Sequence, residues 1–186
     1  LLRQFSLRFF WCCFWCVLAL EIIFGGGLAG LTLSLQLKQT NPSLSVLVLE
    51  RRKETAPEST HKVGESTVEL GTYYLRETLN LKSYLDSFQL PKHGLRFFFS
   101  PENKKDISKR VELGPRVFLP VPSHQIDRGP FENELIKKTS SLGVVVVLGA
   151  KVFDVSINDP HAVSFTKKSG GVLSWNITSH VDRIKK

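Results

Sequence analysis

Gly25, Gly27 and Gly30 stand at G-x-G-x-x-G spacing, after the apolar run Ile22-Ile23-Phe24 and before a leucine-rich stretch. Glycines so placed suit the capture of a pyrophosphate. The first allows a sharp turn out of a strand, and the second lets the anion approach bare backbone. The third lets the next helix pack closely on the sheet. The anion, cradled by the backbone of Leu28 and Ala29 as well, then meets unpaired N–H groups at the positive end of that helix. A glycine-rich surface turn has the same local composition, so the reading needs a second signal. Residues 44–49 supply it, an apolar run ending in Glu50. That carboxylate falls about 20 residues past the glycines, where an acid accepts both ribose hydroxyls of a dinucleotide. A P-loop is excluded, because Leu31 occupies the place of its phosphate-binding lysine.

Positioning these groups requires a strand over 21–24, a helix over 28–39 and a second strand over 44–49. The helix is ambiguous by period: Leu31, Leu33, Leu35 and Leu37 alternate like a strand, while Leu28, Leu31 and Leu35 share a helical face. The glycine turn decides for helix, and Asn41-Pro42-Ser43 ends it. Arg51-Arg52-Lys53 follows, suited either to an adenosine phosphate or to a solvated face. His61 to Leu70 is no hydrolase elbow, since Val68 stands where a second glycine is needed. Apolar spacing predicts one helix over 70–88, and Leu90-Pro91-Lys92 reads as loop. Strands are expected over 95–99 and 116–119, around a charged hairpin or loop. Gln125 to Gly129 leads into a helix over 130–141 with Glu132 and Glu134 in its first turn. Residues 144–148 are a branched run suited to a buried parallel strand. A meander follows over 151–157, 161–166 and 172–177, turned at 158–160 and 169–171. The fold class is α/β, a Rossmann-like dinucleotide-binding domain with a β-meander.

Composition agrees with a folded core: 42% of the 186 residues are hydrophobic and 23% charged. The net charge of +8 is scattered, with clusters only at 104–110 and 183–186, which favours a solvated basic face and an anionic cofactor over nucleic acid. Cys12, Cys13 and Cys16 share one apolar run. With no fourth ligand nearby they predict buried thiols, not a metal site, and their odd number excludes a disulfide framework. Residues 1–20 carry Arg3 and Arg8 and then an aromatic, apolar run without a small-x-small cleavage site. The run is too short to cross a bilayer before Glu21. It is read as an atypical extension, with a membrane anchor disfavoured and a cytoplasmic location expected. The chain contains no methionine and begins with Leu1, so a fragment is expected. The expected organisation is an extension (1–20), an incomplete dinucleotide-binding domain (21–178) with substrate-side strands at 89–124, and a tail (179–186).

Taken together these residues resemble the N-terminal part of FAD-dependent halogenases of the tryptophan-halogenase type. That family lies within the FAD oxidoreductases and monooxygenases of glutathione-reductase-like fold. The resemblance runs from about residue 22 to residue 165. It is carried by Gly25 to Gly30, Glu50-Arg51-Arg52, Val63-Gly64-Glu65-Ser66-Thr67-Val68 and Gln125-Ile126-Asp127-Arg128. It implies FAD as cofactor, with Gly64, Glu65, Ser66 and Thr67 along the flavin; Arg51 and Arg52 remain candidates for the adenosine phosphate. Arg128 is placed near the cofactor and Val152 near the adenine. Lys92-His93-Gly94-Leu95-Arg96-Phe97 is similar to the stretch carrying the family's catalytic lysine, which points to Lys92. The implied reaction uses reduced FAD and O2 to oxidise halide to hypohalous acid, which a lysine directs at an electron-rich ring. The implied partners are a small aromatic or other electron-rich substrate and a separate flavin reductase, with no metal. Glu69 replaces a usual proline, so tryptophan is not the expected substrate. The W-x-W-x-I-P motif is absent, as is a second flavin-binding segment expected near 173–186. The competing readings are an FAD monooxygenase or reductase of the same fold, and a non-catalytic remnant. An NAD-dependent reductase is disfavoured by the Gly64–Thr67 and Gln125–Arg128 stretches.

Overall fold

The computed structural model describes residues 20–59, 62–100, 106–117, 120, 122–157, 161–167 and 171–177. In order these form β1 (Leu20–Phe24), α1 (Leu28–Thr40), β2 (Ser45–Glu50), α2 (Glu69–Tyr73), a π-helical turn (Tyr74–Thr78) and α3 (Lys82–Phe88). Then come β3 (Leu90–Lys92), β4 (Phe97–Phe99), a 3-10 turn (Ile107–Lys109), β5 (Val111–Leu113) and β6 (Ser123–Gln125). The chain ends with α4 (Arg128–Ser141), β7 (Val145–Leu148), β8 (Ala150–Ser156), β9 (His161–Lys167) and β10 (Gly171–Ile177). It divides into two compact units, one of residues 1–58 and 129–186, the other of residues 59–128. Residues 1–19 with the three cysteines, the turns at 158–160 and 168–170, residues 118 and 119 of the 116–119 run and the tail lie outside the described residues.

In the first unit β1, β2 and β7 form a parallel sheet in the order β1-β2-β7. Val46, Leu47, Val48 and Leu49 of β2 are all buried, as a central parallel strand covered on both faces requires. One face holds Val46, Val48, Leu44 and Val144, packed with Ile23 and with Leu37 of α1. The other holds Leu47, Leu49, Ala150, Val163 and Phe165. Helix α1 buries Leu31 and Leu35, four residues apart on one face, and leaves Leu33 exposed. That settles the period ambiguity in favour of helix. Asn41 ends α1 and turns the chain by accepting from Ser43 N (3.2 Å) and Ser43 Oγ (2.7 Å). Strands β8, β9 and β10 form the expected antiparallel meander. Strand β7 departs from expectation: it lies at an edge of the described sheet, and Val145 is exposed.

The second unit departs more from the sequence reading. The single helix expected over 70–88 is broken. Leu79 N donates to Tyr74 O and Leu81 N to Leu75 O, and Asn80 takes φ +53° in the left-handed region. The slip buries Leu75, Leu79, Leu81 and Leu85 together, so packing outweighs a regular backbone ladder. Leu90–Lys92 is a strand, not a loop, and pairs antiparallel with β6. Phe97–Phe99 pairs with Val111–Leu113, a strand that the sequence reading did not place. A bridge between Ser66 and Gln125 lays residues 65–67 along the other side of β6. Ile126 N donates to Glu65 O (2.7 Å) and Thr67 N to His124 O (2.9 Å). None of the helices among the described residues is long and apolar enough to cross a membrane.

Candidate functional site

In the first unit Gly25 turns the chain out of β1 with φ +105°, and its N–H extends the ladder to Leu49 O (2.8 Å). A Cβ at Gly30 would stand 2.0 Å from Gly25 O and 3.1 Å from Ile23 Cγ2, so α1 sits as close to β1 as a glycine allows. Gly27 is the N-cap of α1 and faces open space, with no heavy atom within 4 Å of where its Cβ would be. No side chain caps the helix and its first turn carries no acid. Helix geometry leaves the N–H groups of Leu28, Ala29 and Gly30 without intrahelical acceptors. This cradle suits a pyrophosphate, with room for the anion, donors to bind it and no competing carboxylate on the helix.

Gly26 escaped the sequence reading, which placed mechanical roles on its two neighbours. It is buried against Glu50, and a Cβ there would lie 2.9 Å from Glu50 Cβ. Its N–H donates to Glu50 Oε2 (2.5 Å), while Glu50 Oε1 accepts from Arg52 N (2.7 Å). The carboxylate is therefore fixed by backbone donors on both oxygens and keeps acceptor capacity for a ribose. The run of three glycines was the available signal for Gly26.

Arg51 is exposed. Arg52 turns inward, its Nη1 3.2 Å from Oε2 of the fully buried Glu132, and its Nε donates to Glu54 O (3.0 Å). Arg52 is therefore not the wholly solvated side chain that the sequence offered as one alternative, since its guanidinium forms an internal ion pair. Glu132 shares the inward face of α4 with Leu135 and Thr139, three and seven residues on, all fully buried. Asn133 secures the same loop, accepting from Ala56 N (2.8 Å) and donating to Ala56 O (2.7 Å). The partly buried Val152 side chain packs against the core cluster that β8 and β9 share with β2.

In the second unit Gly64 has φ +87°, and Arg128 donates to the neighbouring Val63 O (3.1 Å). Lys92 Nζ donates to Ser66 Oγ (2.6 Å) and Thr67 O (2.6 Å), reaching across β6 from β3. Glu65, Ser66, Thr67 and Lys92 are thereby gathered on one small sheet. Thr67 Oγ1 accepts from His124 N (2.7 Å), and the hydroxyl lies 2.7 Å from both His124 O and Thr72 Oγ1. Beneath it His124 is buried, its Nδ1 without a hydrogen-bond partner among the described residues. Burial pushes the His124 pKa down and Arg76 adds to the shift, against the opposing pull of Asp86. Hydrogen bonds from Arg76 and Lys82 hold Asp86 below the usual carboxylate range.

Residues 23–88 match the NAD(P)-binding Rossmann-like domain family. The chain is 34% identical over 134 residues to the flavin-dependent halogenase chlA of Dictyostelium discoideum, an alignment covering 69% of this chain and 22% of that protein. It is also 34% identical over 119 residues to an L-2-hydroxyglutarate dehydrogenase of Indibacter alkaliphilus, covering 63% and 26%. Among solved structures it resembles the myxobacterial chondrochloren halogenase CndH, with TM-score 0.65 and 24% identity over 84% of this chain and 34% of that one. The chain thus spans about a quarter of the length of these curated relatives. The chain is therefore similar in sequence to part of a flavin-dependent halogenase and shares the Rossmann-like fold of solved FAD-dependent halogenases, which supports FAD as its cofactor.

Proposed function

We propose that this chain holds FAD for a flavin-dependent oxidation of halide and halogenation of a small electron-rich substrate. The observation that carries the reading is the meeting of Lys92 with Ser66 and Thr67. Two stretches some 25 residues apart, each resembling part of a halogenase, join through a charged hydrogen-bond cluster. Bound reduced FAD would supply, with O2, the oxidising equivalents for halide. The glycine turn and the start of α1 would take the pyrophosphate, and Glu50 the adenosine ribose. An ammonium has three N–H donors. With two on Ser66 and Thr67, the third Lys92 donor serves to hold and orient hypohalous acid toward the substrate.

The test is halogenation of an electron-rich phenol by the whole protein, supplied with reduced FAD, O2 and chloride or bromide. Lys92→Ala should abolish halogenation while flavin oxidation persists. Lys92→Arg should fail as well, because a planar guanidinium held by Ser66 and Thr67 cannot place a donor where the third N–H of the ammonium stands. Near-normal halogenation by Lys92→Ala would make Lys92 a purely structural residue. A second reading, an FAD oxidoreductase that uses no halide, is favoured by the two hydrogen bonds that already engage Lys92. Substrate oxidation without halide, unaffected by Lys92→Arg, would support it.

A further inference from the structure

The ion pair between Arg52 and Glu132 lies beside Glu50 and outside the roles described above. Glu132 is fully buried, and Arg52 is a quarter exposed. Such a pair is weak evidence for stability, since apolar residues of similar volume often pack as well. What it does add is direction. Arg52 is held at three points: Nη1 at Glu132, Nε at Glu54 O and its own carbonyl, which accepts from Gly149 N (2.8 Å). Its remaining backbone group, the N–H, is the donor to Glu50 Oε1. We propose that Glu132 is a positioning residue for adenosine recognition: by anchoring Arg52 it aims the Arg52 N–H, and so fixes the Glu50 carboxylate in the orientation that receives a ribose. The inference rests on the reading of Glu50 as the ribose acceptor. It explains why a buried acid is kept in α4, where an apolar residue would fill the same place.

A double-mutant cycle on the whole chain tests this, with ADP and FAD as titrants, since both carry the adenosine ribose and the pyrophosphate. Glu132→Gln should weaken both ligands about five- to tenfold, the coupling expected of residues in one hydrogen-bonded network. In a Glu50→Ala background the same substitution should have almost no further effect, because there is no carboxylate left to aim. A merely structural Glu132 would weaken binding by the same factor in both backgrounds, and that result overturns the inference, as does wild-type affinity in Glu132→Gln. If Glu50→Ala itself leaves ADP affinity unchanged, the ribose reading fails, and the inference fails with it. If Glu132→Gln does not fold, the double variant Arg52→Met, Glu132→Leu removes both charges together and keeps the volume. It should fold and show the same loss of ADP affinity, and wild-type affinity there would overturn the inference.

Discussion

The closeness of α1 to β1 makes Gly30→Ala a test of the whole turn. Alanine is intrinsically better than glycine inside a helix by about 1 kcal/mol, so an unobstructed helix would be stabilised by the change. Here the new methyl would stand 2.0 Å from the carbonyl oxygen of Gly25, whereas real Cβ contacts essentially never fall below 3.0 Å. The obstructing atom is backbone in a hydrogen-bonded turn, so α1 itself must withdraw by about 1 Å. Overpacking of this kind costs roughly 1–3 kcal/mol. Withdrawal also loosens Leu31 and Leu35, each worth about 1.5–3 kcal/mol when fully buried. Against the propensity gain of about 1 kcal/mol, a net loss of about 2–3 kcal/mol is expected if the leucines lose part of their contacts. Urea unfolding of the wild type and the variant measures it. The sign is decisive: a variant equal to or more stable than the wild type would mean that the helix does not pack on the strand as described.

Three further outcomes follow from the same geometry. Gly27→Ala meets open space at an ordinary φ of −87°, so stability should fall by no more than the ~1 kcal/mol of a poorer N-cap. FAD affinity should drop at least tenfold, because the methyl occupies the place of the pyrophosphate; an unchanged dissociation constant would put the anion elsewhere. Glu50→Gln should weaken FAD nearly as much as Glu50→Ala, by about 1.5–3 kcal/mol in titration, since an amide cannot accept from both Gly26 N and Arg52 N. Retention of wild-type affinity by the amide would show that the two backbone bonds are dispensable. His124, with its pKa held down by burial, binds its proton more readily in the unfolded chain. Its contribution to stability is therefore present above the unfolded value of 6.5 and is lost as pH falls below it toward the folded value. Asp86 acts only in a more acid range, its stabilisation being present above 3.8 and lost as pH falls through its lowered value. Unfolding free energies measured downward from pH 6.5 should fall less steeply in His124→Gln, and equal slopes would remove the assignment.

The βαβ unit was legible because its signals are local and agree with one another. Branched apolar runs mark the strands, three spaced glycines mark the turn and Asn41-Pro42 marks the helix end. Where the sequence misled, a packing decision overrode a local rule. Leu75, Leu79, Leu81 and Leu85 are all buried, yet no single α-helix presents both Leu79 and Leu81 on one face. The chain reconciles them with a π turn and a left-handed Asn80. Pro91 argued against a strand, because proline donates nothing to a ladder, but a three-residue strand paired on one side accommodates it. Val111–Leu113 has only one alternation of apolar and charged residues, too little to stand out beside Arg116 to Leu119. Glu132 was assigned to the first turn of a helix because the helix start was set at Pro130. The helix starts at Arg128, so Glu132 lies beyond its first turn, on the face it shares with the buried Leu135 and Thr139.

The turn also shows how a motif divides its labour once atoms are assigned. The fingerprint treats Gly25 to Gly30 as one anion-binding loop. In the structure Gly25 N continues the sheet at Leu49 O and Gly26 N is held by Glu50, so neither donor is free for a phosphate. Anion binding would be left to the N–H groups from Gly27 into the first turn of α1, where open space meets the positive end of a helix. The acid that would receive the ribose also holds the turn that would receive the pyrophosphate. Recognition of the two halves of an adenosine diphosphate would therefore be coupled through one hydrogen bond, from Gly26 to Glu50. A substitution at either end of that bond disturbs both.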